Sequence, residues 1–331
     1  MNEGIGWGAR GCWDGRKLVG FRGVLCSHYC VHDEQHGPHF QNELLPHAPS
    51  TPHAMNQAEL STRLGVPVHV HQRIPNTTDR LRRLAHDGAP HGTVVVASEL
   101  TAARGRTGSA WSAPAGGLWT STLIRPEFAA DHVGRLTFAA GVAVADTVSE
   151  FGVGAGLKWP NDLLVNGEKL AGILTESVHD GVPVAGKPVD EVFPGESVGL
   201  DYVMLGVGIN ANVDADDVAA DRAVTSLREQ TGHDVDRSAL LVRFHEHLLD
   251  RCAQAESADG FAAVLDDYRA LSETLGHRVR VERRGQASIE GVARDVTETG
   301  ALVVESDEES VSVTEGECRR LRRQSLDGEE N

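Results

Sequence analysis

Two lysines and two arginines hold the clearest chemistry in this chain. Only four lysines occur in 331 residues (Lys17, Lys158, Lys169 and Lys187), although arginine is plentiful. Two of the four flank one short stretch, residues 158–177, which reads KWPNDLLVNGEKLAGILTES. A fixed ammonium is a compact point charge, suited to holding an anionic oxygen or charge that builds on one. Upstream, residues 101–111 read TAARGRTGSAW. Glycines let backbone N–H groups approach a phosphate, and the guanidinium forks of Arg104 and Arg106 can bind its oxygens. Taken alone, this tract also fits a nucleic-acid-binding segment or a plain exposed loop. The lysines likewise fit solvated turn positions beside a structural Trp-Pro bend.

These groups need elements to position them. Residues 163–165 and 170–175 are short apolar runs separated by Asn166-Gly167, a dipeptide that tolerates the positive φ angles of a type I′ turn. The pattern predicts a β-hairpin with Lys158, Asn161 and Asp162 at its entrance and Lys169 just past its turn. Upstream, residues 66–74 read as a strand, and Pro75-Asn76-Thr77-Thr78-Asp79 opens a helix to about His86, with Thr and Asp as N-caps. Residues 93–98 form a buried strand leading into the arginine loop, and 118–124 form the next. Asp131 is expected to cap a helix whose Val133, Leu136, Ala140, Val144, Val148 and Phe151 make one buried stripe. Residues 178–200, rich in Gly, Pro and acids, read as an inserted surface loop. A buried strand over 201–209 ends in Gly206-Val207-Gly208-Ile209-Asn210. Helices follow at 237–255 and 261–271, and the composition shifts at 274–277. Beyond it, residues 278–281, 287–296, 301–305 and 311–313 are short strands with turns between them.

Lys-Trp-Pro-Asn-Asp followed by Gly-x-Lys-Leu-Ala-Gly-Ile-Leu resembles the central signature of biotin–protein ligases. The arginine tract resembles that family's Gly-Arg-Gly-Arg-x-Gly-Arg-x-Trp loop, one strand upstream as in those enzymes. Gly206 to Asn210 is similar to the family's Gly-x-Gly-Ile-Asn. The resemblance covers roughly residues 67–323. It implies an α+β fold, a mixed β-sheet flanked by helices of the class II synthetase-like biotin/lipoate ligase type, followed by a small SH3-like β-barrel. The expected organisation is an extension over 1–54 that is disordered or not part of the translated protein, a catalytic domain over 55–274, the SH3-like domain over 275–323 and a disordered tail over 324–331. Met55 is the expected initiator.

The activity implied is that of a biotin–[biotin carboxyl-carrier protein] ligase. Biotin is activated with ATP and Mg²⁺ as biotinyl-5′-AMP, then transferred to a lysine of a biotin carboxyl carrier protein or domain. Thr77, Thr78 and Asp79 loosely match the Ser-Thr-Asn or Ser-Thr-Gln triplet that meets the ureido ring. Thr101, Arg104, Gly105, Arg106, Trp111, Asn161, Lys169, Gly172, Gly206, Gly208 and Asn210 would complete the biotin and nucleotide pocket. Lys169, Arg106, Lys158 and Asp162 would carry catalysis, Asp162 orienting the reacting groups or a magnesium ion; no resident metal ligands are expected. Three positions depart from the family. Leu100 stands where Gln is usual and Ala103 where Gly is, and Ser109 replaces the arginine before x-Trp. A leucine cannot hydrogen-bond the ureido group, so weaker biotin binding is expected.

Composition narrows the alternatives. A net charge of −17 disfavours a general nucleic-acid or anionic-membrane binder, and no apolar run is long enough to span a bilayer. Together with the absence of a signal-like start, this reads as a cytoplasmic protein. Abundant carboxylates with little lysine suit a salt-rich cytoplasm. Five cysteines, unevenly placed, imply no disulfide framework. Cys26, Cys30 and the scattered histidines near the start fit a zinc site poorly. Residues 58–66 resemble half of a helix-turn-helix, but an alternating strand follows where a recognition helix would stand, so a DNA-binding regulator is not supported. Homodimers occur in the family. The remaining readings are a lipoate or octanoate ligase or transferase of the same fold, and a biotin-responsive regulator without catalysis.

Overall fold

The computed structural model describes residues 55–321, apart from Thr107, Ser109, Ala110, residues 186–191, Glu196, Ser197, residues 219–222, Arg284 and residues 307–308. The expected extension over 1–54, with its cysteines and histidines, lies outside the described residues, as does the tail from 324.

Helix α1 (Gln57–Leu64) begins where the Asn56 side chain accepts from the Ala58 and Glu59 N–H groups, and ends at Gly65 with φ 68°. Only Gly65, Val66 and Pro67 separate it from strand β1 (Val68–Ile74), so no second helix fits between them. Helix α2 (Thr77–His86) is capped by Asn76, not by the expected Thr or Asp. The Asn76 Oδ1 takes the Thr78 and Asp79 N–H groups, which moves both threonines into the first turn. Strands β2 (Val94–Leu100) and β3 (Leu118–Ile124) follow on either side of the arginine loop.

Helix α3 (Gly134–Glu150) differs from its expected form in two ways. Asp131 sits in a separate short 3-10 turn, Ala130–His132, and no side chain caps α3. Its buried residues also run round most of the helix instead of forming one stripe. The cause is that α3 packs between the sheet and two further helices, and a helix enclosed on several sides is apolar on all of them.

Strands β4 (Gly156–Lys158), β5 (Asp162–Val165) and β6 (Glu168–His179) build the expected hairpin and more. Asn166 and Gly167 have φ 52° and 84°, the two positive values that a type I′ turn demands. Strand β6 runs past residue 175 into a second tight turn at Asp180-Gly181 and returns as β7 (Val182–Ala185). The first part of the expected 178–200 loop is therefore a hairpin extension. Strand β8 (Leu200–Ile209) then enters the middle of the sheet, whose order is β1-β2-β3-β8-β6-β5-β4, with β7 on the end of β6. Only β1 and β2 are parallel.

Helices α4 (Leu227–Thr231), α5 (Arg237–Ala255) and α6 (Ala258–Ala270) complete this part. The second sheet holds β9 (Arg278–Glu282), β10 (Ile289–Val296), β11 (Leu302–Glu305), β12 (Ser310–Val313) and β13 (Glu317–Arg320), in the order β12-β11-β10-β9-β13. Its antiparallel strands match the expected set, with β13 in addition. The last strand, β13, returns to pair with the first, β9, an arrangement in line with the SH3-like domain expected here. No described helix is long and apolar enough to cross a membrane.

The core carries a pH signature. His245 is buried with Nε2 on the Gly92 carbonyl oxygen at 2.9 Å, and His179 is buried with Nε2 on Ser177 Oγ at 2.8 Å. Burial holds both imidazoles below their usual value of 6.5. The unfolded chain takes up these protons near pH 6.5 and the folded chain does not. Stability is therefore expected to be full above that pH and to fall as pH drops below it. Urea midpoints taken between about pH 7.5 and about pH 5.5 check this.

Candidate functional site

A cavity of about 570 Å³ opens on one face of the large sheet. One row of residues in register across the strands forms part of its wall: Asp162 on β5 opposite Gly172 on β6, Gly172 opposite Gly208 on β8, and Gly208 opposite Trp119 on β3. The two glycines are there for space. A Cβ on Gly172 would lie 3.2 Å from the Lys169 Nζ and from the Trp111 ring. One on Gly208 would lie 3.1 Å from the Trp119 ring. Any side chain at either position would push the indoles and the ammonium out of place.

Lys169 is the centre of the arrangement. It is 8% exposed, its ammonium pairs with the Asp162 carboxylate (6% exposed), and its Nζ lies 4.4 Å from the centre of the Trp111 ring. The backbone around it is fixed from a third side. The Lys169 N–H donates to the Ala223 carbonyl at 3.0 Å, and its own carbonyl accepts from the Thr225 N–H at 3.0 Å. Asn210 ties the same group down, donating from Nδ2 to the carbonyls of Lys169 (3.2 Å) and Thr225 (3.0 Å). The Asn210 Oδ1 is buried and takes no hydrogen bond from the described residues. Asn161 holds the hairpin entrance shut: its Nδ2 donates to the Ile173 carbonyl at 2.7 Å, and its carbonyl accepts from the Ile173 N–H.

At the other end of the cavity, the first turn of α2 meets β3. Ser121 Oγ donates to Thr77 Oγ1 at 2.8 Å and lies 3.1 Å from Thr78 Oγ1. The hydroxyls of Thr77 and Thr78 are thus collected beside Gly206, whose added Cβ would come 3.3 Å from Thr78 Oγ1. The absence of a side chain at Gly206 leaves that cluster open to the cavity.

Arg104, Gly105 and Arg106 line the cavity, with Leu100 and Ala103 beside them. Arg106 reaches across to the second sheet, where its Nη2 donates to the Gly316 carbonyl at 2.7 Å. Burial lowers the Arg106 pKa, while the charges of Glu315, Asp162 and Glu317 oppose that shift. Arg104, at the edge of the same lining, pairs with Asp79.

Every sequence-predicted site residue lines this cavity except Asp79 and Thr101. Asp79 faces Arg82 and Arg104, and Thr101 is exposed, its N–H on the Ile74 carbonyl. The cavity also has lining residues that sequence reasoning missed. Gly316, Glu317, Cys318 and Arg319 come from the second sheet. No local pattern marks them, because only folding brings β13 to the hairpin. Trp119 carried no motif of its own but stood in a predicted strand. The Cys318 thiol is buried and pushed up to about 11 by burial, so it is protonated at neutral pH and is no nucleophile.

The electrostatics set this cavity apart from the rest of an acidic chain. Lys158, Lys169, Arg104, Arg106 and Arg319 line it against the carboxylates Asp162 and Glu317. A concave site with excess positive charge attracts and holds anions. It can offset the repulsion between two anionic reactants and the charge on a departing one.

Comparison with known proteins agrees with the geometry. Residues 70–187 match the Biotin/lipoate A/B protein ligase family, and residues 274–320 match the Biotin protein ligase C terminal domain. A biotin–[acetyl-CoA-carboxylase] ligase of Mycobacterium tuberculosis is 35% identical over 250 residues, covering 74% of this chain and 85% of that protein. A bifunctional ligase/repressor BirA of Bacillus subtilis is 30% identical over 246 residues, covering 72% and 69% respectively. Among solved structures, a biotin protein ligase from Aquifex aeolicus in complex with biotin and ATP superposes with a TM-score of 0.62 at 24% identity, over 77% of this chain and 99% of that one, a likeness of fold. With its signature hairpin, its arginine loop and relatives of this identity matched over most of their length, the chain belongs to the biotin protein ligases.

Proposed function

We propose that this chain activates biotin with ATP as biotinyl-5′-AMP and transfers the biotinyl group to a lysine of a biotin carboxyl carrier protein or domain. The observation that carries this reading is the buried Lys169 ammonium, held between Asp162 and the Trp111 ring in a cavity walled by glycines and arginines. A biotin carboxylate oxygen attacks the α-phosphorus, the bond to the β-phosphate oxygen breaks, and pyrophosphate leaves. Both reactants are anions, so Lys169, Lys158 and Arg106 lower the barrier by offsetting charge that grows on the leaving group. In the second step, the carrier lysine amine attacks the acyl carbon, the acyl–phosphate bond breaks, AMP leaves, and the amine loses its proton to solvent. The hydroxyls of Thr77 and Thr78, backed by Ser121, would meet a polar ring, and Trp111 and Trp119 would pack against an apolar one.

The donor set fits a magnesium ion that arrives on the phosphates. No cluster of three His, Cys, Asp or Glu exists among the described residues, and Mg²⁺ commonly needs only one or two carboxylates beside substrate phosphates and water. Asp162 would hold it, and the ion would supply further neutralisation of phosphate charge.

The test is transfer of labelled biotin to a purified carrier domain with ATP and Mg²⁺. Labelled carrier establishes the reading. Transfer of octanoate or lipoate in place of biotin would move the assignment to those acyl donors.

Leu100 gives a separate prediction. It lines the cavity at the position where a glutamine amide would reach the ureido group. Leu100→Gln is expected to lower the KM for biotin by about fivefold to tenfold, the worth of one hydrogen bond. An unchanged or raised KM would show that this side chain does not face the ring.

A further inference from the structure

We infer that Asp79 is a positioning residue, one that fastens the rising limb of the arginine loop and does not bind the ureido ring. This rests on the biotin ligase reading of the cavity. The resemblance to the family's ring-binding triplet puts Asp79 third, after Thr77 and Thr78. The fold separates it from the other two. Asn76, Thr77 and Thr78 line the cavity and Asp79 does not, because each step along α2 turns a side chain by about 100°.

Both Asp79 oxygens are already engaged. Oδ1 accepts from Arg82 Nη1 at 2.8 Å and from Arg104 Nη2 at 2.8 Å, and Oδ2 accepts from Arg104 Nη1 at 3.2 Å. The Arg104 pair is thus bidentate, the geometry that gives a guanidinium and a carboxylate direction as well as attraction. Burial alone would raise the Asp79 pKa, but the two guanidinium groups outweigh it and hold the carboxyl below its ordinary value. The carboxylate is therefore charged at neutral pH.

The anchor behind it is firm. Arg82 also donates from Nη2 to Glu176 Oε2 at 2.7 Å, and Glu176 is a buried residue of β6 in the middle of the sheet. The limb itself is sewn along the same line. The Thr101 and Ala102 N–H groups donate to the Ile74 and Pro75 carbonyls at 3.0 and 2.9 Å, across the turn between β1 and α2. Arg104 on Asp79 is the last tie of that series before Gly105 and Arg106, which face the cavity. Backbone ties set the path of the limb, and the ion pair sets where its final residues leave it.

Asparagine separates the two roles by the sign of its effect. Asp79→Asn restores the residue that the ring-binding triplet carries in the family, so a ligand role predicts biotin binding kept or improved. A positioning role predicts the opposite, since a neutral amide offers Arg104 one oxygen and no charge. The full chain is assayed for biotin-dependent AMP formation, and the unliganded chain for trypsin cleavage after Arg104 and Arg106. Asp79→Asn is expected to raise the KM for biotin about fivefold with kcat within about twofold, and to speed cleavage about fivefold, the scale of a half-exposed ion pair. Asp79→Glu, which keeps the charge, is expected to return both close to wild type. Added KCl should speed cleavage of the wild type and leave Asp79→Asn unchanged. Equal cleavage of wild type and Asp79→Asn, or a biotin KM that stays or falls, overturns the inference. Should the wild type form no biotin-dependent AMP, the ligase reading fails instead, and the cleavage comparison still decides whether Asp79 fastens the limb.

Discussion

Lys169→Ala is expected to slow biotinyl-5′-AMP formation by about a thousandfold, acting on kcat far more than on the KM for ATP. The size follows from two losses at one place. The ammonium that would offset negative charge on the reacting oxygens goes. The Asp162 carboxylate, 6% exposed, then stays behind without it and faces an incoming carboxylate and triphosphate. Removing one partner of a buried pair also destabilises the fold, by about 3 kcal/mol or more. Circular dichroism and a urea midpoint must therefore accompany the kinetics. The double variant Lys169→Ala/Asp162→Asn separates the two losses. If the stranded carboxylate contributes, the double variant recovers part of the rate and most of the stability, a coupling expected of groups in contact. Lys169→Arg keeps the charge but not the shape. It should stay well below wild type, because a planar fork cannot sit between Asp162 and the Trp111 ring as a point charge does. A Lys169→Ala rate within tenfold of wild type would remove Lys169 from the centre of the mechanism.

Trp159→Ala is expected to cost about 3–5 kcal/mol of stability. Trp159 is 1% exposed and belongs to both halves of the structure at once. Its N–H donates to Thr274 Oγ1 at 2.9 Å, and its indole Nε1 donates to the Gly300 carbonyl at 3.1 Å, in the turn between β10 and β11. Its neighbours Lys158, Pro160 and Asn161 line the cavity. The ring thus pins the hairpin entrance against the second sheet, and truncation opens a void where three parts of the chain meet. A fall of roughly 10 °C in Tm is expected. Trp159→Phe, which keeps most of the volume and loses only the indole donor, should cost about 1 kcal/mol. A loss for Trp159→Ala no larger than that would mean the second sheet is held elsewhere. Limited proteolysis near residues 271–277 gives an independent reading, since a loosened second sheet exposes that connection.

Much of the site was legible because its chemistry is packed into short stretches. Lys169 could be placed from Asn166-Gly167 alone. A type I′ turn sets the register of the residues beside it and pairs Lys169 with Leu164, while a register shift between Leu163 and Leu164, which the turn does not dictate, sets Asp162 opposite Gly172. The glycines of the arginine loop and of the β8 end were singled out by their resemblance to the family's motifs, since either pattern alone says little. Other readings failed where a neighbour decided the outcome. The Asp131 cap failed because the chain makes a separate short turn before α3 begins. The single stripe on α3 failed because helices pack on more than one of its sides.

What the sequence by itself determined is the hairpin, its turn, and the set of charged and small residues brought to it. The hairpin and its turn follow from backbone preference over a few consecutive positions, and the set of residues follows from the family motifs those positions resemble. Only the tertiary structure decided which of those residues share the cavity. It turned Asp79 away from Thr77 and Thr78, because helical phase points neighbours in different directions. It brought Gly316 and Arg319 in from far along the chain, because β13 pairs with β9. And it brought Asn210, at the end of the neighbouring strand, to the carbonyls of both Lys169 and Thr225, where a buried amide finds acceptors for its N–H groups.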